Sequence, residues 1–172
     1  MNTYDWDDNE SPLAYLITFR TYGTWLHGDD RFSVDRHGMN RYGAPKVLPS
    51  QNLNRMMRAN RVSKEFKLDG HQRAVVTSSI KEVCKTRGYA LLAVNVRTNH
   101  VHCVVRAYTN PQKLTTALKA NCTRELRAAG LATDSEQVWA RGGSRRYLWK
   151  PNQVEGAIDY VLYGHGDDLP DF

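Results

Sequence analysis

Hydrophobic positions follow two periods along this chain, and each period predicts a different kind of element. Apolar runs and alternating positions predict strands at residues 13–19, 89–96 and 100–107. Apolar positions every three or four residues predict helices at residues 69–87, 110–129 and 150–162. The first of these helices opens on a capping box made by Asp69 and Gln72, and the last has Pro151 in its first turn. The pattern therefore predicts a chain that mixes helices with strands.

The chain is expected to form one domain over residues 1–172, with two segments outside the regular pattern. Residues 1–12 are predicted to be an acidic tail. Residues 21–61 show no sustained period and are broken by glycine and proline, which predicts a long irregular insertion. With 172 residues, of which 41% are hydrophobic, the chain is long enough to bury a core of its own.

Positive charge is concentrated in the interior of the chain. All 24 Lys and Arg residues lie between Arg20 and Lys150, whereas seven of the 18 acids lie in the first ten and last six residues. Residues 11–166 therefore carry 24 cations against 11 acids, a net charge of +13. This favours a polyanionic partner, because phosphate contacts by Lys and Arg supply binding that does not depend on nucleotide sequence.

Cysteine usage and hydropathy indicate the cellular setting. Cys84, Cys103 and Cys122 are an odd number without metal-type spacing, so we expect reduced, buried thiols and no disulfide framework. No apolar stretch approaches the ~20 residues of a membrane span, and no signal-peptide pattern opens the chain. We therefore expect a cytoplasmic protein that does not bind membranes.

The first candidate for chemistry is the run Asn99-His100-Val101-His102-Cys103, which lies between two apolar stretches. Side chains two residues apart share one face of a strand, so His100 and His102 would project side by side. Two imidazoles in that position can hold one divalent cation. The alternative is a satisfied, partly buried histidine pair that binds no metal.

The second candidate is Tyr160 on the last predicted helix. It falls at the margin of that helix's apolar face, and Gly156, one turn earlier, would leave room beside it. Its hydroxyl could then reach a polar pocket on the sheet. Nine tyrosines are present and most must be packing residues, so Tyr160 alone is a weak signal.

Taken together, the His-Val-His strand and the later Tyr160 resemble the single-tyrosine HUH transposases, which include insertion-sequence enzymes and REP-associated tyrosine transposases. The segments that resemble the family's strands and its tyrosine helix are residues 16–20, 88–93, 98–102, 146–149 and 157–161. With 146–149 as a further strand, the element order fits an α+β fold: a ferredoxin-like βαββαβ antiparallel sheet with an additional C-terminal helix carrying the tyrosine. The helices would cover one face of the sheet and leave the other for DNA or a second subunit.

One position departs from the family pattern. Family members usually carry Gln or Asn about one turn after the tyrosine as a further metal ligand, whereas Gly164 stands here and His165 follows it. His165 is therefore a candidate third ligand, and the alternative is a solvated histidine in the turn that ends the helix. Tyr163 is a rival nucleophile, but it directly precedes the helix-breaking glycine, so we prefer Tyr160.

Three groups of side chains are candidates for DNA binding. They lie on the exposed side of the second long helix, in the cation-rich run 141–150, and in the insertion, where aromatic and basic residues mix. Their members are Lys113, Lys119 and Arg124; Arg141, Arg145, Arg146, Trp149 and Lys150; and Trp25 and Arg36. Aromatic and cationic side chains together stack unpaired bases and follow a phosphate backbone. The alternatives are a solvated helix face and simple packing of the aromatic rings.

The resemblance implies a metal-dependent DNA transposase, an endonuclease and strand transferase that recognises single-stranded or hairpin DNA. Tyr160 would form a 5′-phosphotyrosine link, and a Mg²⁺ or Mn²⁺ ion held by His100 and His102 would orient the scissile phosphate. Two alternatives stay open: a non-catalytic nucleic-acid-binding protein derived from a transposase, and a metal-dependent phosphodiesterase that activates water. Whether the protein is a monomer or a homodimer is also open.

Overall fold

Six strands and four helices follow one another in the part of the chain that the structure, a computed structural model, describes. The described residues are 11–24, 33–34, 46–47, 50–61 and 63–164. The first half of the chain contains β1 (Ala14–Arg20), β2 (Ser33–Val34), β3 (Lys46–Val47), α1 (Gln51–Ala59) and α2 (Gly70–Thr86). The second half contains β4 (Ala90–Val96), β5 (His100–Arg106), α3 (Pro111–Ala128), β6 (Ser144–Leu148) and α4 (Pro151–Tyr163).

Four of the strands form an antiparallel sheet in the order β4-β5-β1-β6. The central strand β1 places Thr18 opposite His102 of β5 on one side and opposite Ser144 of β6 on the other. With α2 and α3 as the connecting helices, this is the βαββαβ arrangement of a ferredoxin-like fold. The predicted α+β fold is therefore confirmed, with α4 as the additional C-terminal helix.

The boundaries of α2 follow from its sequence. The Asp69 carboxylate accepts a hydrogen bond of 2.8 Å from the Gln72 backbone N–H, and the Gln72 side-chain oxygen accepts one of 2.8 Å from the Asp69 N–H. This reciprocal pair is the predicted capping box. After the helix ends, Gly88 adopts a φ of 68°, a conformation that glycine adopts without strain.

A large core fills the space between the sheet and the helices α2 and α3. Its members include buried side chains from both layers: Ile17, Phe19, Val101, Cys103, Ile80 and Leu118. The three cysteines are free and buried, as predicted. Burial raises the pKa of the Cys84 thiol to about 11 and that of Cys122 to about 12, so this side of the sheet keeps its thiols neutral.

The opposite face of the sheet carries α4, where we expected no helix. Val154, Ala157 and Val161 of α4 are buried against Val104 and Leu148, in a smaller cluster. The expectation that all helices share one face was wrong for α4, because its apolar stripe needs a surface to cover and the outer sheet face offers one. Part of that face remains open beside the helix.

The predicted irregular insertion contains helix α1 and the short antiparallel pair β2–β3, so that prediction was wrong for residues 51–59, 33–34 and 46–47. The Ser50 hydroxyl caps α1 by accepting a hydrogen bond of 3.3 Å from the Leu53 N–H. No residue of α1 is buried, and its large apolar residues Leu53, Met56 and Met57 span a stretch shorter than the ~11 residues over which a helical period is recognised. Of the expected acidic tail, residues 1–10 lie outside the described part of the chain.

None of the helices in the described residues is long and apolar enough to cross a membrane.

Candidate active site

The candidate site is built on alternate residues of β5. Val101, Cys103 and Val105 point into the large core, whereas His100 and His102 point to the face that carries α4. The centres of the two imidazole rings lie 4.6 Å apart, His102 is buried at 6% exposure, and His100 is half-buried. The structure therefore brings the two histidines together on one face, as the strand period predicts.

Each imidazole is held at Nδ1 by a neighbouring polar side chain. His100 Nδ1 lies 2.6 Å from Asn99 Oδ1, and His102 Nδ1 lies 2.7 Å from the Thr18 hydroxyl on β1. A carboxamide oxygen only accepts hydrogen bonds, so His100 Nδ1 is the donor in this contact, and a metal ion would bind at Nε2. Hydrogen bonds of this kind fix the tautomer and orientation of metal-binding histidines.

Tyr160 reaches the same face from α4. Its ring centre lies 5.4 Å from that of His102, and its side chain is 46% exposed. The helix is fixed there by the burial of Val161 and by Asn95 of β4, whose Nδ2 donates a hydrogen bond of 2.9 Å to the Val161 carbonyl. A half-exposed phenol beside a buried histidine is open to a large substrate.

Two glycines near Tyr160, Gly156 and Gly164, differ in whether a larger side chain would fit in their place. A Cβ at Gly156 would meet nothing within 4 Å, so this glycine is not needed to make room for the tyrosine. A Cβ at Gly164 would lie 2.6 Å from the Tyr160 carbonyl oxygen, closer than such atoms approach. The position where the family usually has Gln or Asn is therefore sterically suited to glycine in this chain. Tyr163 is 78% exposed.

The donor set at this site fits a divalent cation in part. His100 and His102 supply two imidazoles, which zinc, manganese and other transition metals accept. Within the described ranges, no group of three or more His, Cys, Asp and Glu side chains is close enough to hold a metal ion. His165, the predicted third ligand, lies outside those ranges. Two histidines would leave coordination positions for phosphate oxygens.

The cation-rich run 141–150 is divided between the two faces of β6. Arg146 lies opposite Leu16 on the face of the histidines, whereas Arg145 lies opposite Ile17 on the other face. Tyr147 shares that other face, and its ring stacks on Trp149 with centres 6.0 Å apart. Arg141 and Lys150 are exposed at either end of the strand. Of this run, Arg146 is the cation that the register of β6 places on the site face.

The α3 residues proposed for DNA binding lie on the helix layer, away from the histidine face. Lys113 and Arg124 are exposed, and Arg124 pairs with Glu125 at 3.1 Å. Lys119 was wrongly placed in this exposed row, because it is half-buried and its ammonium donates hydrogen bonds to the carbonyls of Ala140 and Gly142. It thereby holds the loop that leads into β6. Trp25 and Arg36 lie outside the described residues.

Sequence reasoning missed three polar residues at this site, Thr18, Asn95 and Arg20. Arg20 is the last residue of β1 and lies opposite His100. Thr18 and Arg20 reach the histidines through the pairing of β1 with β5, and a strand register between distant segments is not readable from one sequence. Asn95 reaches them through the β4–β5 hairpin, where it lies opposite His102. The one partner with a sequence signal is Asn99, which directly precedes His100.

A ferredoxin-like sheet that presents a His-Val-His strand beside a tyrosine-bearing helix defines the class of the HUH tyrosine transposases. A family described as "Transposase IS200 like" matches residues 54–152, more than half of the chain. The chain therefore belongs to the IS200-like transposase family. Among curated proteins, none matches this chain.

Two solved structures are similar to the chain at low sequence identity. A REP-associated tyrosine transposase bound to a REP hairpin has 13% identity and a TM-score of 0.49, over 88% of this chain and 66% of its own. A candidate transposase from Deinococcus radiodurans has 13% identity and a TM-score of 0.44, over 92% of this chain and 95% of its own. The chain thus spans 66% of the length of the first of these proteins.

Proposed function

We propose that this protein is a DNA transposase that cleaves and rejoins single-stranded DNA at or near a hairpin, with Tyr160 as its nucleophile. The observation that carries the proposal is the ring contact between His102 and Tyr160, 5.4 Å between centres, within one chain. Family membership supports the reaction class. The basic interior of the chain supports a DNA substrate.

Tyr160 would attack the phosphorus of the scissile phosphodiester. An oxygen–phosphorus bond forms to the phenol, the bond from phosphorus to the 3′-oxygen breaks, and the proton lost by the phenol is balanced by one gained at the 3′-oxygen. The products are a 5′-phosphotyrosine link and a free 3′-hydroxyl. Because the new ester is as reactive as the old one, the strand can be rejoined without ATP.

The other residues of the site would bind and orient the DNA. Arg20 and Arg146 lie on the face of the histidines and would contact phosphates on either side of the scissile bond. Thr18 and Asn99 contact the imidazoles at Nδ1, and His102 and His100 would then present Nε2 towards the substrate. A Mg²⁺ or Mn²⁺ ion, when bound by the two histidines, would polarise the scissile phosphate.

Covalent trapping tests the nucleophile directly. The parent protein, Tyr160→Phe and Tyr163→Phe would each be incubated with labelled single-stranded hairpin DNA and Mn²⁺ and then separated on denaturing gels. The substitution removes one oxygen and almost no volume, so the fold should survive it. We expect a covalent band from the parent and from Tyr163→Phe, and none from Tyr160→Phe.

The other outcomes separate the alternatives. A band lost only in Tyr163→Phe would move the nucleophile to that residue. Cleavage without a covalent band would favour a phosphodiesterase that uses water. Binding with neither cleavage nor adduct would favour a DNA-binding protein derived from a transposase. The observation that supports this second candidate is Gly164, at the position where the family usually has Gln or Asn. Activity that withstands a chelator would remove the metal from the proposal.

A further inference from the structure

A row of cations lies outside every group of residues that we predicted to bind DNA. Between residues 51 and 68 the chain carries five cations against one acid, Glu65. The cations recur at every third position, and we call them the basic strip: Arg55, Arg58, Arg61, Lys64 and Lys67. Such a density of one sign of charge is typical of a surface that binds a polyanion.

The first part of the strip lies on α1, which buries none of its residues. Arg55 and Arg58 are exposed, and Met56 is exposed at 63%. A helix of nine residues gains little stability on its own in water, and most helices of this length depend on an apolar face that packs. Most side chains of this helix face solvent, Leu53, Asn54 and Met57 are half-buried, and no fully buried face stabilises it.

The second part of the strip is attached to the end of the sheet where the histidines lie. The Phe66 N–H donates to the Tyr22 carbonyl at 2.9 Å, and the Leu68 N–H donates to the Thr98 carbonyl at 2.7 Å. Thr98 lies in the turn between β4 and β5, two residues before His100. The strip thus approaches the candidate site from the N-terminal end of β5.

The acid within the strip forms ion pairs with two cations, and a third, Arg58, acts on it without an ion pair. Glu65 pairs with Lys67 at 2.8 Å and with Arg61 at 3.7 Å, and the hydrogen bond from Lys67 lowers the pKa of Glu65. No acid in the described part of the chain forms an ion pair with Arg55, Arg58 or Lys64. Arg58 donates a hydrogen bond of 2.6 Å from Nε to Asn54 Oδ1, which leaves its positive charge in place, and all three cations can therefore attract a polyanion.

The composition of the strip distinguishes duplex DNA from an unpaired strand. Sites for single strands combine cations with exposed aromatic rings on which bases stack. Between residues 51 and 68 the sole aromatic residue is Phe66, and it is buried at 6% exposure. Cations without stacking partners suit the phosphate backbone, which is the part of a duplex that is read without regard to sequence.

We propose that the basic strip binds the phosphate backbone of duplex DNA, the base-paired stem next to the single strand that enters the His100 and His102 site. This proposal rests on the proposed function for the position of the single strand. The strip itself would bind a duplex with or without cleavage. It would thereby hold the stem at the N-terminal end of β5 and present the adjoining strand to Tyr160.

Salt dependence of binding counts the phosphate contacts. The test variant is Arg55→Gln/Arg58→Gln/Lys64→Gln, and the matched control removes three exposed cations of the helix layer as Lys81→Gln/Lys85→Gln/Arg87→Gln. The probes are a labelled hairpin whose stem spans about one helical turn, ~10 base pairs, and a single strand of the same length that cannot pair. Affinity would be measured between about 50 and 200 mM salt.

For the hairpin, we expect the slope of log affinity against log salt to become smaller in magnitude by about 2.7 in the test variant. Each of the three lost phosphate contacts contributes ~0.9 to that slope. The parent would then lose about 40-fold more affinity than the test variant over that salt range. The control should keep the parental slope, and the single strand should bind all three proteins with equal slopes. Circular dichroism and the thermal midpoint check that the test variant keeps its fold.

Each remaining outcome overturns the proposal. An unchanged hairpin slope removes the strip from DNA binding, and an equal fall in the control shows a general effect of net charge. A fall with the single strand alone assigns the strip to the unpaired strand. Covalent trapping keeps the two proposals apart, because adduct formation with an unchanged slope refutes only the strip, and a reduced slope without any adduct refutes only the nuclease.

Discussion

The two faces of strand β5 have the same backbone and opposite chemistry. On one face, Val101, Cys103 and Val105 are fully buried under α2 and α3, in a core whose thiols have raised pKa values. On the other face, His100 and His102 lie beside α4, which covers part of the sheet and leaves Tyr160 half-exposed. One face of the strand is sealed by two long helices, and the other is open enough to admit a substrate.

This difference shows how a small domain holds a polar site in a defined geometry. Side chains on one face of a strand are fixed when those on the other face are locked in a close-packed core. A shift of β5 by one residue against β1 would exchange the two sets of side chains, so the register of Thr18 with His102 fixes both faces at once.

The largest effect is expected from His102→Ala on the open face. Loss of one imidazole should lower the rate of covalent adduct formation by more than ~100-fold. The loss should exceed this figure because removing only a residue that hydrogen-bonds a metal-binding histidine already costs up to ~100-fold. Hairpin affinity should change little, because cations supply most of it. The measurements are adduct formation on denaturing gels and binding by fluorescence anisotropy.

His71→Ala is the matched control, because His71 is an exposed histidine at the start of α2, on the other layer. It should leave adduct formation and binding at parental levels. Adduct formation that persists in His102→Ala would contradict a role for this imidazole in cleavage. An equal loss in both variants would contradict the assignment of the chemistry to the open face.

A large effect on stability is expected from Phe19→Ala on the sealed face. Phe19 is fully buried, and its ring packs edge-on against Trp139 with centres 4.9 Å apart. Its removal should cost about 3–5 kcal/mol of unfolding free energy. Leu16→Ala, on the same strand but on the partly covered face, should cost about 2 kcal/mol, the low end for such a truncation.

Urea unfolding followed by circular dichroism measures both variants against the parent. Unchanged dependence of the free energy on urea concentration would show that the same folded and unfolded states are compared. Equal losses for Phe19→Ala and Leu16→Ala would contradict the view that one face carries most of the stability.

Local patterns in the sequence predicted the position of helix α2 and the shared face of the two histidines. The capping box at Asp69 and Gln72 located α2, and alternation along β5 placed His100 and His102 on one face. These features depend on residues a few positions apart, whose geometry is set by the helix or strand itself. The family resemblance added the last strand and the link between the histidines and Tyr160.

Features that depend on contacts between distant segments could not be predicted in the same way. Lys119 has the helical position of an exposed cation, but the carbonyls of Ala140 and Gly142 bind its ammonium. Helix α1 is nine residues long with three large apolar residues, too short for a helical period to stand out. Thr18 is an ordinary strand residue until the pairing of β1 with β5 brings it to His102.

The smallest of the expected effects comes from Thr18→Val, which tests whether the register of β1 with β5 supports the histidine site. Valine keeps the shape of threonine and removes the hydroxyl that lies 2.7 Å from His102 Nδ1. Loss of an outer partner of a metal-binding histidine should weaken Mn²⁺ binding by ~10–100-fold, about 1.4–2.8 kcal/mol. Thr18→Ser, which retains the hydroxyl, should recover most of that affinity. Titration of free Mn²⁺ by electron paramagnetic resonance, without DNA, measures metal binding apart from cleavage. If Thr18→Val binds Mn²⁺ as the parent does, the hydroxyl orients no metal ligand, and the register of β1 with β5 serves the core alone.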